Sequence, residues 1–398
     1  MEEEKNDLLR YVNLFGYNPK YGIDYDWNLI KKEFNKLKIP DDVFNPFKFH
    51  KIEGGKYYFD ISEREVGKTT NWLLLAMCVN KLYGSEIVYM RETLDMISPK
   101  NDRELFKTIR LFNYVEKLTD GKYNDIVCRS RRYFYFNRET GEEENEPFML
   151  KWSIDENDVK KSSVQLPDSD IIIFDECISS KNYMGEFVPF MDSLKTIIRS
   201  RFSPIIVLLA NTVNIQSMWF REFEIYDQIQ SIKAGQTITV TSSMGSIVDV
   251  GYVGYSEQTM SADRIEHNKT FFGFSNPRLN SIRGGSWAFD VYQHPYREKD
   301  THSILNNRYI EHNGNLVNIE VMYNTKHGYY IVVHPANQIY DDSVVYTLDK
   351  QLKDKRYKFK WGRSSVDKKI WEMYQSGRWT YVTNMEGSLI TDYMTSMT

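Results

Sequence analysis

The residues that decide the fold are 57–70, with the sequence YYFDISEREVGKTT. The first five form an apolar, β-rich run, and a helical pattern with Leu74, Met77 and Leu82 on one face follows the Gly-Lys-Thr turn. A strand, a glycine-containing loop and a helix in this order are the setting of a phosphate-binding loop. We therefore predict a nucleotide site at this turn.

Each residue type in the turn suits a triphosphate. Gly67 lets the backbone approach the phosphates, and the amides that begin a helix attract an anion. Lys68 is placed to contact the β- and γ-phosphates, and the Thr69 hydroxyl is a candidate Mg²⁺ ligand. Ser62 stands where the usual motif has its first glycine. The predicted nucleotide-binding residues are Ser62, Glu63, Arg64, Glu65, Val66, Gly67, Lys68, Thr69 and Thr70.

A second apolar strand, at residues 170–174, leads into an acidic pair, Asp175 and Glu176. In open α/β sheets the ligand crevice lies at the carboxyl ends of the strands. We predict that Asp175 holds Mg²⁺ through water and that Glu176 orients and polarises the attacking water. The alternative is a pair of acids that caps a strand. The two elements in this order favour an ATPase with a catalytic glutamate over a GTPase or a kinase, with ATP and Mg²⁺ as its ligands.

A third apolar strand, at residues 205–209, leads into Ala210, Asn211 and Thr212. Polar residues at this position are able to sense the γ-phosphate, so Asn211 and Thr212 are the predicted sensors. The alternative is a simple turn at the end of a strand.

Short β-rich runs alternate with helical stretches between about residues 56 and 210. This alternation predicts a mostly parallel sheet that is covered on both faces. Residues 132–136 and 148–152 are interpreted as an exposed hairpin inserted in that unit. Between about residues 218 and 283 the composition shifts to Ser, Gly, Thr and Asn, which we interpret as a lid or connection with weak structure.

The predicted fold class is α/β, with an N-terminal P-loop ATPase domain linked to a smaller α+β C-terminal domain. A β-hairpin around the sequence NTKHG at residues 324–328 and a helical pattern at residues 365–374 support the second domain. The predicted organisation is a helical extension at 1–50, the ATPase domain at 51–225, a linker or lid at 226–285 and the C-terminal domain at 286–398.

Composition excludes several classes of protein. The chain has 398 residues, a net charge of −4 and three widely spaced cysteines, so a disulfide framework or a structural zinc site is not expected. Its longest apolar stretches fall far short of the ~20 residues that cross a bilayer, and no membrane partner is predicted. Because the whole chain is acidic, any nucleic acid must be met by local patches.

One such patch lies at residues 350–369, where nine basic residues against two acidic ones give a net charge of +7. Contacts of this kind with phosphates are independent of sequence and sensitive to salt. The predicted DNA-binding residues are Lys353, Lys355, Arg356, Lys358, Lys360 and Arg363. The alternatives are a solvated surface or a contact with another protein. Four arginines near residues 129–138 form a second candidate patch, namely Arg129, Arg131, Arg132 and Arg138.

These residues together resemble a known family, the DNA-packaging (encapsidation) ATPases of small tailed bacteriophages of the phi29 type. That family is distantly related to the large terminase subunits and belongs to the ASCE class of P-loop motors, whose catalytic glutamate follows the Walker B aspartate. The resemblance is patchy but collinear over about residues 55–395. The residues that carry it are Arg64 in the phosphate loop, Arg91, Arg131-Arg132-Tyr133-Phe134, Ile173-Phe174-Asp175-Glu176, Arg199-Ser200-Arg201, Val345-Tyr346-Thr347-Leu348 and Gly377-Arg378-Trp379.

Two features depart from the family pattern. The first 45 residues look like an extension, and Glu63 and Glu65 put two acids in a phosphate loop that tends to have small residues. These acids are expected either to weaken nucleotide binding or to pair with Arg64.

The resemblance implies a homo-oligomeric, pentameric ring that docks on the portal of a procapsid and drives double-stranded DNA inward. It implies a site in the host cytoplasm, at the portal vertex during packaging and not in the mature virion. Whether a structural RNA also anchors the ring is left open. Hydrolysis at subunit interfaces makes a trans-acting cation plausible, with Arg201 as the first candidate, Arg199 as the second and Lys161 as a further one. Arg64 joins this catalytic set by its place in the loop.

The resemblance also implies that the C-terminal domain is a vestigial RNase H-like nuclease domain that binds DNA without cutting it. An active nuclease needs several acids that converge on two metal ions. The acids available are Glu320, Asp341, Asp342, Asp349 and Asp367. Two alternatives remain: a full terminase with an active nuclease, and an ATP-dependent assembly switch that never translocates DNA.

Overall fold

The computed structural model describes residues 23–62, 66–93, 104–154, 169–178, 187–199, 201–211, 217–253, 292–296 and 298–397, together with residues 266 and 270. The helices are α1 (Trp27–Asn35), α2 (Pro46–Phe49), α3 (Lys68–Tyr83), α4 (Lys107–Leu111), α5 (Tyr114–Leu118), α6 (Phe187–Ile198), α7 (Met218–Glu222), α8 (Tyr226–Ser231), α9 (Ser365–Gln375) and α10 (Asn384–Ser396). The strands of the first domain are β1 (Tyr57–Ser62), β2 (Ile87–Arg91), β3 (Asp125–Arg129), β4 (Arg132–Phe136), β5 (Met149–Ser153), β6 (Ile171–Asp175), β7 (Ile205–Asn211), β8 (Thr237–Thr241) and β9 (Ile247–Val253). Those of the second domain are β10 (His302–His312), β11 (Asn315–Asn324), β12 (Gly328–Pro335), β13 (Val344–Thr347), β14 (Tyr357–Phe359) and β15 (Trp379–Tyr381).

The first domain is built on a sheet with the strand order β3-β4-β5-β2-β6-β7-β1-β9-β8. The central run from β5 to β9 is parallel, and β3, β4 and β8 add antiparallel pairing at the two edges. The central strands are almost wholly buried because helices cover both faces. The mostly parallel sheet predicted for this domain is confirmed.

Helix α3 covers one face of this sheet and is itself buried along most of its length, from Trp72 to Val79. Helix α1 packs on α3, with Ile30 and Phe34 in the same apolar cluster. The opposite face is covered by α6, α7 and α8, through an aromatic group that includes Phe190 and Trp219. Described residues of the predicted N-terminal extension therefore belong to the core of the first domain.

Two local expectations are corrected by the sheet. Residues 132–136 and 148–152 do pair antiparallel, as β4 and β5, but β5 is buried and also pairs in parallel with β2, so the expected exposure is wrong. Strand β4 forms a further hairpin with β3. The weak structure expected beyond residue 218 is wrong for residues 237–253, because β8 and β9 form the last two strands of the large sheet. The Thr-rich sequence of β8 contains β-branched residues that favour strands, and β9 is buried beside β1.

The second domain has a smaller sheet with the order β14-β13-β10-β11-β12-β15. Strands β10, β11 and β12 form an antiparallel meander, while β13 and β14 extend the sheet in parallel to β10. Helices α9 and α10 pack on it through Ile370, Ile390 and Tyr393. The predicted combination of a large α/β domain and a smaller α+β domain is confirmed. Among the described residues, no helix is both long and apolar enough to cross a bilayer.

Candidate nucleotide-binding site

The turn between β1 and α3 has the backbone geometry of an anion site. Gly67 adopts φ +86°, a left-handed conformation that glycine tolerates without strain, and it stands immediately before the first helical residue, Lys68. Among the described residues, no side chain caps this end of the sixteen-residue helix, which leaves the amides of its first turn without a side-chain cap from that part of the chain. These amides and the helix dipole favour a bound phosphate.

Lys68 is the cation of this turn. Its side chain is buried, and Nζ donates to the Ser62 hydroxyl and, at 2.9 Å, to the carbonyl of Ala210. These two acceptors lie at the carboxyl ends of β1 and β7, which are neighbours in the sheet. The ammonium group is therefore held over the edge of the sheet where a triphosphate would bind.

Asp175, the last residue of β6, lies next to the turn. The Thr69 hydroxyl lies 3.1 and 3.2 Å from the two oxygens of the Asp175 carboxylate, which is buried. A hydroxyl and a carboxylate are oxygen donors of the kind that Mg²⁺ prefers. Thr69 and Asp175 therefore fit the metal predicted for this site, and they are the residues that would hold it.

Glu176 follows in an unusual conformation. Its φ of +55° is left-handed, which non-glycine residues adopt rarely and mostly at functional sites. Its side chain is about half exposed, with 51 % of its surface accessible, whereas Asp175 next to it is buried. The bend in the backbone turns Glu176 out of the strand toward the edge of the sheet.

Arg91, at the end of β2, binds both acids. Its Nη1 lies 2.6 Å from Glu176 Oε2 and its Nη2 lies 3.2 Å from Asp175 Oδ2. Its Nε donates to the Tyr89 hydroxyl at 2.9 Å, and that hydroxyl donates to Asp175 Oδ2 at 2.8 Å. The guanidinium thus occupies the position from which the charges of both carboxylates are balanced.

The protonation of these groups follows from the contacts. Burial opposes the charged form of Arg91, but the attraction of Asp175, with smaller contributions from Tyr89 and Glu176, raises its pKa above the ordinary value. Burial and the charge of Asp175 raise the pKa of Tyr89 well above its ordinary range. Tyr89 therefore remains a neutral donor to Asp175.

The structure brings six predicted residues to one edge of the sheet: Ser62, Lys68, Thr69, Asp175, Glu176 and Asn211. Asn211 ends β7 opposite Ser62 in the register, as expected for a sensor. Thr70 lies in the first turn of α3, and Val66 is buried just before it. Five predicted residues lie outside the described residues: Glu63, Arg64, Glu65, Lys161 and Thr212.

Arg201 does not have the geometry expected of a trans-acting finger. Its side chain is 2 % exposed, and Nη1 lies 2.6 Å from the carboxylate of Asp170, at the start of β6. Its Nη2 also donates to the carbonyls of Ser169 and Ile197. The guanidinium of Arg201 is therefore enclosed in its own chain, next to the end of β6 opposite Asp175, and its trans-acting role stays a prediction. Arg199 is exposed at the end of α6.

The predicted DNA-binding residues surround β14, an edge strand of the smaller sheet. Lys355, Lys358 and Arg363 are exposed there, and Lys358 also donates to the carbonyl of Lys355 at 3.3 Å. The other three also make contacts within the chain: Lys353 pairs with Glu311, Arg356 with Asp354 at 2.6 Å, and Lys360 donates to the carbonyl of Met397. Within β14, Tyr357 is buried, whereas Lys358 and Phe359 are exposed.

The second basic patch is more fully paired. Arg129 contacts Glu143, Arg132 contacts Glu86, and Arg138 contacts Asp125 at 2.6 Å. Arg131 lies in the β3–β4 turn with φ +72°.

The acids considered for a nuclease do not converge. Asp367 accepts hydrogen bonds from Tyr346 and from the Ser364 amide in the N-terminal cap of α9, and Glu320 lies 3.2 Å from His334. Asp341 and Asp342 are exposed, and Asp349 accepts from the amide of Gln351. Across the described part of the chain, no group of three or more His, Cys, Asp or Glu residues is placed to hold a metal ion.

Two elements of the site were missed from the sequence. Tyr89 stands in a run of otherwise apolar residues, and a hydroxyl in a buried strand two residues before a basic strand end is a signal that could have identified it. The segment before β1 also reaches the loop, since the Phe44 amide donates to the Val66 carbonyl at 2.9 Å. No local pattern marks that contact.

The fold is a mostly parallel α/β domain followed by a smaller α+β domain. Its Gly-Lys-Thr turn between β1 and α3 and the acidic pair at the end of β6 are the arrangement expected of a P-loop nucleotide-binding domain. No protein-family model matches the chain, and no curated protein matches it.

Among solved structures, the chain is similar to one described as the bacteriophage Phi-29 viral genome packaging motor assembly. That similarity has a TM-score of 0.57 at 16 % identity and covers 90 % of this chain and 100 % of that one. A DNA packaging motor of Phi-28 is also similar, with a TM-score of 0.48 at 14 % identity over 89 % of this chain and 97 % of that one. The resemblance inferred from the sequence is thus confirmed at the level of fold.

Proposed function

We propose that this chain is the ATPase of a viral genome packaging motor, which hydrolyses ATP and drives double-stranded DNA into a procapsid. The observation that carries the proposal is the convergence of Lys68, Thr69, Asp175 and Glu176 at one sheet edge. The similarity to the Phi-29 packaging motor assembly supports it, because that similarity extends through both domains.

In this proposal, Lys68 and the amides of the first turn of α3 bind the β- and γ-phosphates. Mg²⁺, held by Thr69 and Asp175, would supply charge stabilisation on the phosphate oxygens. Glu176 orients the attacking water and accepts its proton. Asn211 lies beside Ser62 at the end of β7 and is placed to register the loss of the γ-phosphate.

The Arg91–Glu176 ion pair adds a condition to this mechanism. Glu176 Oε2 is engaged by Arg91 Nη1 at 2.6 Å, so the carboxylate is held on the guanidinium rather than on a water molecule. Glu176 must therefore leave Arg91 before it activates water. Its half-exposed side chain leaves it room to do so.

We choose between Arg199 and Arg201 as the trans-acting cation by the exposure of their side chains. Arg199 lies at the surface, whereas extraction of Arg201 would leave Asp170 buried without its cation. We therefore assign the trans role to Arg199 in a homo-oligomeric ring, for which a pentamer is the expectation. Mixing Arg199→Ala subunits with Glu176→Gln subunits should restore part of the hydrolysis, because intact residues of both kinds meet at some interfaces.

No recovery at any mixing ratio would contradict a shared site. Arg201→Ala is the contrasting variant, and it should lower the stability of the fold by about 3–5 kcal/mol through the unpaired Asp170. Thermal unfolding of both single variants separates the two roles.

DNA is assigned to the exposed basic residues around β14. Lys355, Lys358 and Arg363 offer phosphate contacts that do not depend on sequence, as a motor for any DNA requires. The portal of the procapsid is the docking partner in this proposal, and the host cytoplasm is the compartment. A structural RNA as a further anchor is a separate expectation that a binding assay with the procapsid, with and without ribonuclease treatment, would test.

The central experiment measures ATP hydrolysis by the wild-type chain and by Lys68→Ala, each with and without double-stranded DNA. The wild type should hydrolyse ATP, and DNA should stimulate it, whereas Lys68→Ala should show neither. An absence of stimulation over a range of salt concentrations would favour a non-translocating assembly switch. Metal-dependent cleavage of DNA that is lost in Asp341→Asn or Asp367→Asn would favour a full terminase.

A further inference from the structure

A buried histidine lies below the phosphate-binding turn. His50 Nε2 is 2.8 Å from Asp60 Oδ1, and its Nδ1 is 3.0 Å from Asp249 Oδ2. The side chains of His50 and Asp60 have no accessible surface, and that of Asp249 has 11 %. Because each ring nitrogen faces a carboxylate oxygen, the imidazole carries a proton on both nitrogens and donates twice.

The remaining carboxylate oxygens are also occupied. Trp72 Nε1 donates to Asp60 Oδ2 at 2.6 Å, and the Thr239 hydroxyl donates to Asp249 Oδ1 at 3.1 Å. The network therefore joins β1, β8, β9 and α3 to the residue that follows α2. Burial opposes the charge on His50, but Asp60 and Asp249 outweigh it and raise its pKa to about 9.

The space around this network is filled. A Cβ atom at Gly251, in β9, would lie 2.4 Å from Asp60 Oδ1 and about 3 Å from the His50 ring. Trp72 and Tyr58 pack against that ring, with centroid separations of 6.0 and 5.2 Å. These close contacts hold the imidazole in one position.

The segment that leads into His50 also contacts the phosphate-binding turn. The Phe44 amide donates to the Val66 carbonyl at 2.9 Å, and the Phe44 carbonyl accepts from the amide group of Asn71. The side chain of Val43 lies against Gly67, where an added Cβ would be 3.5 Å from it. Residues 43–50, which we name the brace, therefore contact the turn at one end and the His50 network at the other.

We propose that the brace is a positioning element of the ATP site, with His50 as its anchor. The proposal rests on the function proposed above. Asp60 lies two residues before Ser62, and Trp72 lies four residues after Lys68, so the network sets β1 and α3 relative to each other on both sides of the turn. The brace then sets Val66 and Gly67 directly. Loss of this support moves the phosphate-binding amides and leaves Glu176 and Arg91 in place.

Loss of the brace should therefore affect the binding of ATP more than its turnover. An interaction that supports the bound nucleotide equally in the ground state and the transition state raises KM when it is lost, with kcat nearly unchanged. A purely structural histidine would instead lower stability and leave the KM for ATP of the folded fraction unchanged. The two roles are therefore distinguishable.

The test compares three variants with the wild type. His50→Gln removes the charge from the anchor, and Asn71→Ala removes the contact between α3 and the brace without leaving a charge unpaired. His312→Gln is the matched control, because His312 is also buried against a carboxylate, Asp392 at 2.8 Å, in the second domain. Each variant is assayed for KM for ATP, kcat, the dissociation constant of a non-hydrolysable ATP analogue, and Tm.

We expect His50→Gln and Asn71→Ala to raise KM and the analogue dissociation constant by about tenfold, with kcat within threefold. We expect His312→Gln to lower Tm without changing either constant. If KM is unchanged in folded Asn71→Ala, or if His312→Gln raises it equally, the brace is not a positioning element. A wild-type chain that neither binds nor hydrolyses ATP would instead overturn the proposed function itself.

Discussion

The two domains differ in how their acids are grouped. In the first domain, Asp175 and Glu176 lie together at one sheet edge with Thr69 and Lys68, and a single guanidinium bridges them. In the second domain three buried or half-buried acids have separate partners: Asp367 caps α9, Glu311 pairs with Lys353 and Asp392 pairs with His312. Among the described residues, the grouping of acids rather than their number therefore separates the domain with the proposed metal site from the smaller domain.

The largest effect is expected when one acid of each domain is replaced by its isosteric amide. Glu176→Gln should lower kcat for ATP hydrolysis by at least about 100-fold, because the proton acceptor is lost while the shape is kept. Glu320→Gln, which removes an acid of the second domain paired with His334, should leave kcat unchanged. Steady-state ATPase assays measure both. Retention of kcat within threefold in Glu176→Gln would remove the catalytic assignment.

A second matched pair tests the donors to the acids. Tyr89→Phe removes the hydroxyl that donates to Asp175, and Tyr346→Phe removes the hydroxyl that donates to Asp367. Tyr89→Phe should raise the Mg²⁺ concentration for half-maximal hydrolysis by about tenfold, since partners of metal ligands tune metal affinity. Tyr346→Phe should not shift it. Mg²⁺ titrations of both variants decide the point, and equal shifts would mean that the effect is general.

A smaller effect is expected from a comparison between exposed and ion-paired basic residues of the second domain. Replacing the exposed Lys355, Lys358 and Arg363 with Gln should reduce DNA stimulation several-fold and flatten its salt dependence, because phosphate contacts are lost. The same replacement of Lys353 and Arg356, which pair with Glu311 and Asp354, should have less effect. A larger loss in the ion-paired set would move the DNA surface elsewhere.

The smallest expected effect concerns pH. The pKa of His50 is raised to about 9 in the folded chain, so its contribution to stability is complete below its unfolded pKa of about 6.5 and is lost as pH rises through 9. The groups that face it are Asp60, Asp249, Tyr58 and Trp72. Tm should fall by roughly 2–4 °C for each kcal/mol lost between pH 7 and 9.5.

His50→Gln is the control for this pH dependence. Its Tm should be lower than that of the wild type at pH 7 and should change less between pH 7 and 9.5. Parallel pH profiles in the two proteins would show that another group is responsible.

The features of the fold that depend on the order of residues along the chain could be predicted from the sequence. Strands β6 and β7 are apolar runs and β1 is apolar except for Asp60 before its last two residues, and each leads into the polar residues of the site, so their place in a parallel sheet could be inferred. The Gly-Lys-Thr turn could be placed between a strand and a helix for the same reason. Two other features could not be predicted in this way, because a tertiary partner decides the environment of the residues.

The first of these concerns Arg201. A basic residue after a helix is usually exposed, and only the fold brings Asp170 to it from the start of β6. The second concerns residues 237–253, whose Thr and Gly content is typical of loops until β1 supplies a parallel neighbour for β9. The brace is missed for a similar reason, because Phe44 and Val66 are joined through backbone atoms that no side-chain pattern records.

Strand β9 has a mechanical consequence. It runs parallel to β1, and its last residue, Val253, is paired with Ser62 at the start of the phosphate-binding turn. Strand β9 thus ends within one interstrand spacing, about 4.8 Å, of that turn. A pull on β9 would therefore be transmitted through its pairing with β1 to Ser62, beside the proposed nucleotide site.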